Sequence, residues 1–272
     1  MNSNTNNNPT NNITTKSKRP RLTSILGSFL ETAIHELIYL RSLYPHDAFS
    51  PSRHLQIAVH ACRHPDVVDY IFHTLNDVAV TSIISGSVDG LYLIFYDEAT
   101  NVLYERYGFE FDFDFDAVDG NGNHNSSKYP KEEVGYIAQE LERSLRDVLL
   151  SIISLQGTDM GRRMGERNFT DTTTFKLCLH TKKLDGHGGD NGNGEKNGDN
   201  DDENEICPEL KAAIQSGKWM KSDMDSCQLL SSSSGNVSVR SSKSVSRPLK
   251  SLNVPSCGLR MQVMIDMMDI HV

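Results

Sequence analysis

The sequence predicts an α+β domain with about three helices packed on a mostly antiparallel sheet. Some segments repeat apolar residues every three or four positions, as helices do, and others alternate apolar with polar residues, as half-buried strands do. Helical segments and strand pairs are mixed along the chain and do not alternate strictly, which argues against a parallel, doubly wound sheet. We therefore expect helices covering one face of a sheet built largely from hairpins.

The bulk composition limits the function. The 272 residues suit one domain of moderate size or two small ones, and the 37% hydrophobic share leaves part of the chain outside a core. A net charge of −9 disfavours direct nucleic-acid binding, so a role near DNA would pass through a protein partner. Five scattered cysteines without CxxC spacing indicate reduced thiols in an intracellular protein. No apolar run approaches the length of a membrane span, so no membrane partner is expected.

The N-terminal segment, residues 1–22, is rich in Asn, Thr and Ser and is expected to be disordered. It contains a basic cluster at residues 16–21. A nuclear localisation signal and a solvated basic tail both explain a motif this short. The first interpretation predicts a nuclear protein.

The helices are predicted from periodicity and end signals. The first begins at Thr23 or Ser24, either of which can cap a helix, and ends before Tyr44-Pro45. The second opens at His64-Pro65-Asp66, because proline and an acidic residue suit a first turn. A third, long helix follows residue 130. The apolar positions that predict burial are Ile25, Leu26, Phe29, Leu30, Ala33, Ile34, Leu37 and Ile38 in the first helix, Val67, Ile71, Leu75 and Val78 in the second, and Val134, Ile137, Leu141, Leu145, Val148 and Ile152 in the third.

The strands are predicted from alternation and strand propensity. Residues 91–96 and 102–115 form a hairpin, in which aromatic residues alternate with glycine and acidic residues. Residues 172–181 and 259–267 are two further strands. Three low-complexity stretches, 117–130, 185–205 and 231–246, are predicted to be insertions into the domain.

The search for catalytic or metal-binding motifs is mostly negative. The aspartates at 112, 114, 116 and 119 lack the glycine and glutamate that an EF-hand calcium loop requires. His60, Cys62 and His64 could share one face of a strand, but a fourth ligand at zinc spacing is missing. We therefore expect no metal, no cofactor and no enzymatic activity. A metal-dependent hydrolase that uses these three residues is the alternative from the enzyme class.

Several motifs, taken in order and spacing, resemble the HORMA domain family. They are Ser28-Phe29-Leu30-Glu31 through Ile38-Tyr39-Leu40-Arg41, His64-Pro65-Asp66 with Asp69-Tyr70-Ile71, Leu93-Ile94-Phe95 with Glu105-Arg106-Tyr107-Gly108-Phe109-Glu110, Thr174-Phe175-Lys176-Leu177, and Pro248-Leu249-Lys250-Ser251 with Met261-Gln262-Val263. The resemblance covers residues 24–115, 131–182 and 206–268. Within the family, the second, fourth and fifth motifs are most similar to the accessory subunits of DNA polymerase zeta.

The resemblance implies a HORMA domain over residues 23–272 and a mobile C-terminal safety belt over about residues 206–272. Such a domain is a non-catalytic adaptor that traps a peptide, which adds to the sheet as a strand, beneath the belt. The implied ligand is a proline-containing peptide of the catalytic subunit of DNA polymerase zeta, in translesion DNA synthesis and the DNA damage response. A spindle-assembly-checkpoint or meiotic-axis protein, using the same clamp on other peptides, is the alternative.

The resemblance also assigns candidate site residues. Tyr70 and Trp219 match aromatic residues of the family that contact the bound peptide. Packing beneath the second helix is the alternative for Tyr70. Trp219 is the only tryptophan and lies in a polar stretch outside any periodic element, which favours a contact role.

Two further surfaces follow from the same resemblance. Pro248, Leu249, Gln262 and Met264 match a surface that binds a second partner, the deoxycytidyl-transferase polymerase of translesion synthesis. Serines replace apolar residues just before that surface, which is a departure from the family pattern. Arg146 matches an arginine on the helix through which family members form homodimers or heterodimers with other HORMA proteins. A solvated charge on a helix face is the alternative for Arg146.

Overall fold

The structure, a computed structural model, describes the backbone of residues 11–113, 134–158, 161–162, 169–181, 208–216 and 244–268. The helices of the described ranges are α1 (Asn11–Leu40), α2 (Pro65–Thr74), α3 (Val80–Ile84), α4 (Val134–Ile153) and α5 (Pro208–Gln215). The strands are β1 (Phe49–His54), β2 (Ile57–Cys62), β3 (Val88–Asp97), β4 (Leu103–Phe113), β5 (Thr173–Thr181), β6 (Ser244–Val254) and β7 (Leu259–Met268). None of the described helices is long and apolar enough to cross a membrane.

Five strands form the main sheet in the order β5-β3-β4-β7-β6, and every neighbouring pair is antiparallel. Strands β1 and β2 form a separate antiparallel hairpin. Helices pack against the main sheet through one large apolar core. The prediction of an α+β domain with helices on a mostly antiparallel sheet is confirmed.

Helix α1 is the centre of the core. Phe29 meets Phe109 of the main sheet edge to face, at 6.4 Å between ring centroids. Tyr39, further along the helix, meets Phe49 of the β1–β2 hairpin at 5.2 Å. The helix therefore contacts two layers, which explains why the sequence carries two adjacent apolar rows. Those rows are buried as predicted, with Ile25 only partly covered.

Helix α1 begins earlier than the sequence predicts. Its first residue is Asn11, whereas the predicted start was Thr23 or Ser24, so part of the tail predicted to be disordered has helical backbone. Extending a formed helix costs less than nucleating one, so a polar segment can join a helix that its composition would not start. Residues 1–10, the remainder of the predicted tail, lie outside the described residues.

The second predicted helix is confirmed at its start, with Pro65 in the first turn after His64. Its path continues from α2 through one π-helical segment, Leu75–Ala79, into α3. The predicted buried side is confirmed, because Val67, Ile71, Leu75 and Val78 are all covered.

The predicted hairpin and long helix are also confirmed. Strands β3 and β4 pair from Gly90–Glu110 to Tyr96–Leu103, with an irregularity after Phe95. In β4, Tyr107, Phe109 and Phe111 are buried while Glu110 and Asp112 are exposed. The predicted ends of the hairpin beyond residue 113 and the insertion at 117–130 lie outside the described residues. Helix α4 buries Leu141, Leu145, Val148 and Ile152, as its periodicity predicts.

The C-terminal part contains elements that the periodicity did not predict. Strands β5 and β7 match the predicted strands at 172–181 and 259–267. Strand β6 was not predicted from periodicity, and it begins at Ser244, within the stretch 231–246 predicted to be a polar insertion. Most described side chains of β6 are exposed, so its sequence lacks the alternation of apolar and polar residues that predicts a strand. The insertion at 185–205 lies outside the described residues.

Candidate functional site

One edge of the main sheet is formed by β5, which pairs with β3 on one side. In an antiparallel ladder, the N–H and C=O groups of one residue point to the same side, and successive residues alternate. Leu177 lies opposite Leu93, and its N–H points away from β3. Phe175, Leu177 and Leu179 therefore direct their backbone groups to the outer edge of β5, where no strand of the described ranges pairs. Such an edge can accept another strand.

Tyr70 lies beside this edge. Its ring, 42% exposed, extends from α2 and meets Phe175 edge to face at 5.7 Å. The N–H of Leu177 donates a hydrogen bond to the Tyr70 hydroxyl oxygen at 3.0 Å. Burial of the hydroxyl end raises the pKa of Tyr70. The predicted site residue thus lies at the edge where a strand could add, while its ring also packs against Phe175, as the alternative proposed.

Both ends of the β5 edge are bounded by other contacts. At the start, the hydroxyls of Thr170 and Thr172 donate to one carboxylate oxygen of Asp97, at 2.5 and 2.7 Å. Thr100 binds the other oxygen through its N–H and hydroxyl, and these donors, Thr170 first, lower the pKa of Asp97. At the far end, Leu179 packs against a small apolar cluster.

That small cluster is separate from the main core. It joins Val78 of the π-helical segment to Leu210 and Ala213 of α5, with Ile214 and Leu179 packed against it. Helix α5 therefore lies over the far end of the β5 edge. Helix α5 is not predicted from the sequence, because eight residues are too few to show a clear helical period.

Three of the four residues of the predicted second-partner surface, Pro248, Gln262 and Met264, lie together on β6 and β7, at the opposite edge of the main sheet from β5. Gln262 and Met264 lie on β7, and the Gln262 side-chain amide is 2.9 Å from the Met264 sulfur. Pro248 pairs with Met264 across the β6–β7 ladder, and Leu249 lies in the bulge that follows. Pro248 is exposed, and the other three are partly covered. Leu249 packs against the main core, so the structure groups only the other three.

Arg146 has an intramolecular role. From α4, its guanidinium donates to the carbonyl of Leu55 at 3.2 Å and to the side-chain oxygen of Gln56 at 3.3 Å. These two residues form the tight turn between β1 and β2, and both have positive φ, 46° and 63°. Such a turn normally carries Asn and Gly. The arginine therefore stabilises a strained turn. The interpretation of Arg146 as a solvated charge leaves out these two hydrogen bonds.

His60, Cys62 and His64 do not form a common site. His60 stacks on Tyr39 at 3.5 Å, Cys62 is buried, and His64 is exposed at the start of α2. Among the described residues, no three His, Cys, Asp or Glu side chains are grouped so that they could hold a metal ion. Asp112, from the acidic stretch, pairs with Arg260 at 2.6 Å.

Two side chains of α1 accept hydrogen bonds from backbone N–H groups of β2. The buried carboxylate of Glu36 accepts the N–H of His60 at 2.7 Å. The buried ring of His35 accepts the N–H of Cys62 through Nδ1 at 3.3 Å. Burial lowers the pKa of His35 to about 4, which keeps the ring neutral and able to accept. Sequence reasoning missed both residues, because they interrupt an apolar stripe and their partners are far away in the chain.

A buried ion pair was also missed. Arg41, at the end of α1, binds both carboxylate oxygens of Glu105 at 2.7 Å. The Tyr107 hydroxyl donates to the same carboxylate at 3.0 Å. Burial opposes the charge on Arg41, but Glu105 more than offsets it and the pKa of the guanidinium is raised. This pair fixes the end of α1 against β4. Trp219, the other predicted peptide contact, lies outside the described residues.

Comparison with known proteins gives the family. The HORMA domain model matches residues 23–168, which is more than half of the chain. The DNA polymerase zeta processivity subunit of Arabidopsis thaliana is 35% identical over 85 residues. That match spans 31% of this chain and 39% of the relative.

Solved structures agree on the fold. A chain of the mitotic checkpoint complex matches with a TM-score of 0.55 and 13% identity, over 90% of this chain and 97% of that chain. C. elegans HTP-1 bound to HTP-3 motif-1 matches with a TM-score of 0.50 and 11% identity, over 92% of both chains. Family match and fold agree, and the chain belongs to the HORMA domain family.

Proposed function

We propose that this protein is a non-catalytic adaptor that captures an extended peptide on the free edge of β5. The ligand is a proline-containing peptide of the catalytic subunit of DNA polymerase zeta, and the protein acts in the nucleus, in translesion synthesis and the response to DNA damage. The observation that carries the proposal is the β5 edge, with outward backbone groups at Phe175, Leu177 and Leu179 and the Tyr70 ring beside it. The relative with 35% identity supports the choice of polymerase.

The chain after Ile206 acts as the safety belt in this proposal. Strand β5 lies at one edge of the main sheet and β6 at the other, and in this proposal the chain between them closes over the ligand. Four strand spacings separate the two edges, roughly 19 Å at about 4.8 Å each. Helix α5, on this connection, lies by the far end of β5. A peptide paired with β5 would lie next to α5, and Trp219 follows α5 closely in the sequence.

Backbone pairing is tested by proline substitution. Leu179→Pro removes one outward N–H from the edge, and Leu179→Ala removes only the side chain. Overlapping synthetic peptides covering the host's polymerase zeta catalytic subunit are titrated by fluorescence anisotropy. The peptide that binds the wild type should bind Leu179→Pro at least tenfold more weakly than Leu179→Ala, because each strand hydrogen bond contributes about 1 kcal/mol and proline also obstructs the ladder. Equal affinities for the two variants would refute strand addition.

The pathway is tested by capture from host extracts. A family-B polymerase retained by the wild type and lost with Trp219→Ala supports the polymerase role. Checkpoint or chromosome-axis proteins retained in its place support the alternative. Alanine substitutions at Pro248, Leu249, Gln262 and Met264 should selectively remove the second, deoxycytidyl-transferase polymerase, because β6 and β7 lie at the opposite edge of the sheet from β5.

Dimerisation is a separate proposal. A homodimer or a heterodimer with another HORMA protein would use α4, and Arg146 there already binds the β1–β2 turn. Sedimentation of Arg146→Ala against the wild type tests whether the residue acts at a dimer interface. An unchanged sedimentation coefficient together with a lower melting temperature would assign Arg146 to the turn alone.

A further inference from the structure

We infer that the Tyr70 hydroxyl is an autoinhibitory cap that occupies the place of a ligand carbonyl on the β5 edge and must be displaced when a peptide pairs there. The inference rests on the proposed function and deepens it. It assigns Tyr70 a role opposite to that of a simple contact residue, because removing its hydroxyl should strengthen binding.

The geometry of the Leu177 amide carries the inference. A backbone N–H in a sheet donates to a carbonyl oxygen at about 2.9–3.0 Å. On the outward side of β5, the N–H of Leu177 has such a partner at 3.0 Å, and the partner is the oxygen of Tyr70. One N–H cannot donate a good hydrogen bond to two oxygens in the same place. A peptide carbonyl that paired with Leu177 would therefore collide with the tyrosine oxygen.

The position of the cap along the edge matters. Leu177 is the middle one of the three outward residues, between Phe175 and Leu179. The edge is bounded by the Asp97 hydrogen bonds at its start and by α5 at its far end. A strand that pairs with this short open stretch in continuous register must use Leu177. Every such pairing therefore requires the Tyr70 hydroxyl to leave Leu177.

The ring is held in a way that permits displacement. Tyr70 is 42% exposed; its ring meets Phe175 edge to face, and its hydroxyl also forms a hydrogen bond with the Thr74 side chain. A rotation of the side chain would release the hydroxyl to water, which replaces the lost hydrogen bonds at small net cost. An exposed strand edge is a site of unwanted pairing, and a displaceable side chain protects it without closing it permanently.

Tyr70→Phe tests the cap, because it removes the hydroxyl and keeps the ring. Tyr136→Phe is the matched control: it is the same chemical change on α4, at a side chain that is 58% exposed. Using the overlapping peptides of the polymerase zeta catalytic subunit, we expect Tyr70→Phe to bind the captured peptide about three- to tenfold more tightly than the wild type, the range of one net hydrogen bond. Tyr136→Phe should bind as the wild type does. Equal or weaker binding by Tyr70→Phe would overturn the cap and leave peptide capture intact.

A second measurement needs no ligand. Amide hydrogen exchange of Leu177, followed by NMR on the free protein, should be several-fold faster in Tyr70→Phe than in the wild type and in Tyr136→Phe. An unchanged Leu177 exchange rate would overturn the cap whatever the peptide results are. If no peptide binds either protein while Leu177 is deprotected, the proposed function fails and the cap stands as edge protection only.

Discussion

His35→Asn should make the stability of the protein less dependent on pH between 4 and 6.5. In the folded protein the ring is buried, and its Nδ1 accepts the N–H of Cys62 at 3.3 Å. The side-chain oxygen of asparagine lies near the position of Nδ1, so the variant can keep an acceptor there. Asparagine does not titrate, so the variant lacks the proton-linked contribution.

The sign and size follow from the pKa. Burial lowers the pKa of His35 from 6.5 to about 4. Between pH 4 and pH 6.5 this histidine is protonated in the unfolded chain but not in the folded protein, so lowering the pH favours unfolding. The contribution of the neutral ring is complete above pH 6.5 and is lost as the pH falls to about 4. A difference of about 2.5 pKa units corresponds to about 3 kcal/mol. That is a large share of a typical free energy of unfolding, about 5–15 kcal/mol.

Urea unfolding at pH 4, 5, 6 and 7 measures the effect. The wild type should lose about 3 kcal/mol more than His35→Asn between pH 7 and pH 4. His54, whose pKa is also lowered by burial, leaves a residual slope in both proteins. His73→Asn, at an exposed position on α2, serves as the control and should follow the wild type. Parallel pH profiles for the wild type and His35→Asn would refute a buried, neutral His35.

Arg41→Met should destabilise the protein by about 3–5 kcal/mol, because it leaves the buried carboxylate of Glu105 without its ion-pair partner. The double variant Arg41→Met/Glu105→Leu should recover much of that loss in urea unfolding. Additive losses would contradict the coupling. Gly108→Ala should cost about 1 kcal/mol, because a Cβ there would come within 2.9 Å of the Tyr92 ring and disturb its contact with Arg106. Gly135→Ala, with open space around it on α4, should instead stabilise the protein by about 0.5–1 kcal/mol. If both glycine variants changed the free energy of unfolding in the same direction, the space around each Cβ would not explain the effects.

Much of the fold could be predicted because its core follows local periodicity. The two apolar rows of α1 and the alternation of β4 each report burial directly. Strand β6 was missed, because an edge strand with exposed serines, a proline and basic residues has no apolar face to detect. The β1–β2 hairpin was missed for a different reason. Its turn is Leu55-Gln56, which lacks the residues that normally adopt positive φ.

The candidate site was only partly predictable. Tyr70 was identified through family resemblance, but its partner is the backbone of Leu177, and no side-chain pattern encodes a backbone contact. Similarly, Glu105 falls on the buried face of β4 by its period of two, yet its charge argues for solvent. Only its partner Arg41, remote in sequence, resolves that conflict. Long-range pairing of this kind requires the fold to be known first.

The two edge strands of the five-stranded sheet, β5 and β6, differ in how strongly they oppose pairing with another copy of the protein. Strand β6 carries Pro248, a bulge and the cations Arg247 and Lys250, all of which oppose pairing with a further strand. Strand β5 has no proline, and its one lysine, Lys176, lies over the Tyr96 ring, while the Tyr70 hydroxyl covers the Leu177 N–H. Among the described strands, β5 against β5, around a twofold axis, is therefore the pairing of two sheets that these features oppose least. Such an isologous contact uses the β5 edge of both copies, so growth through this contact stops at two.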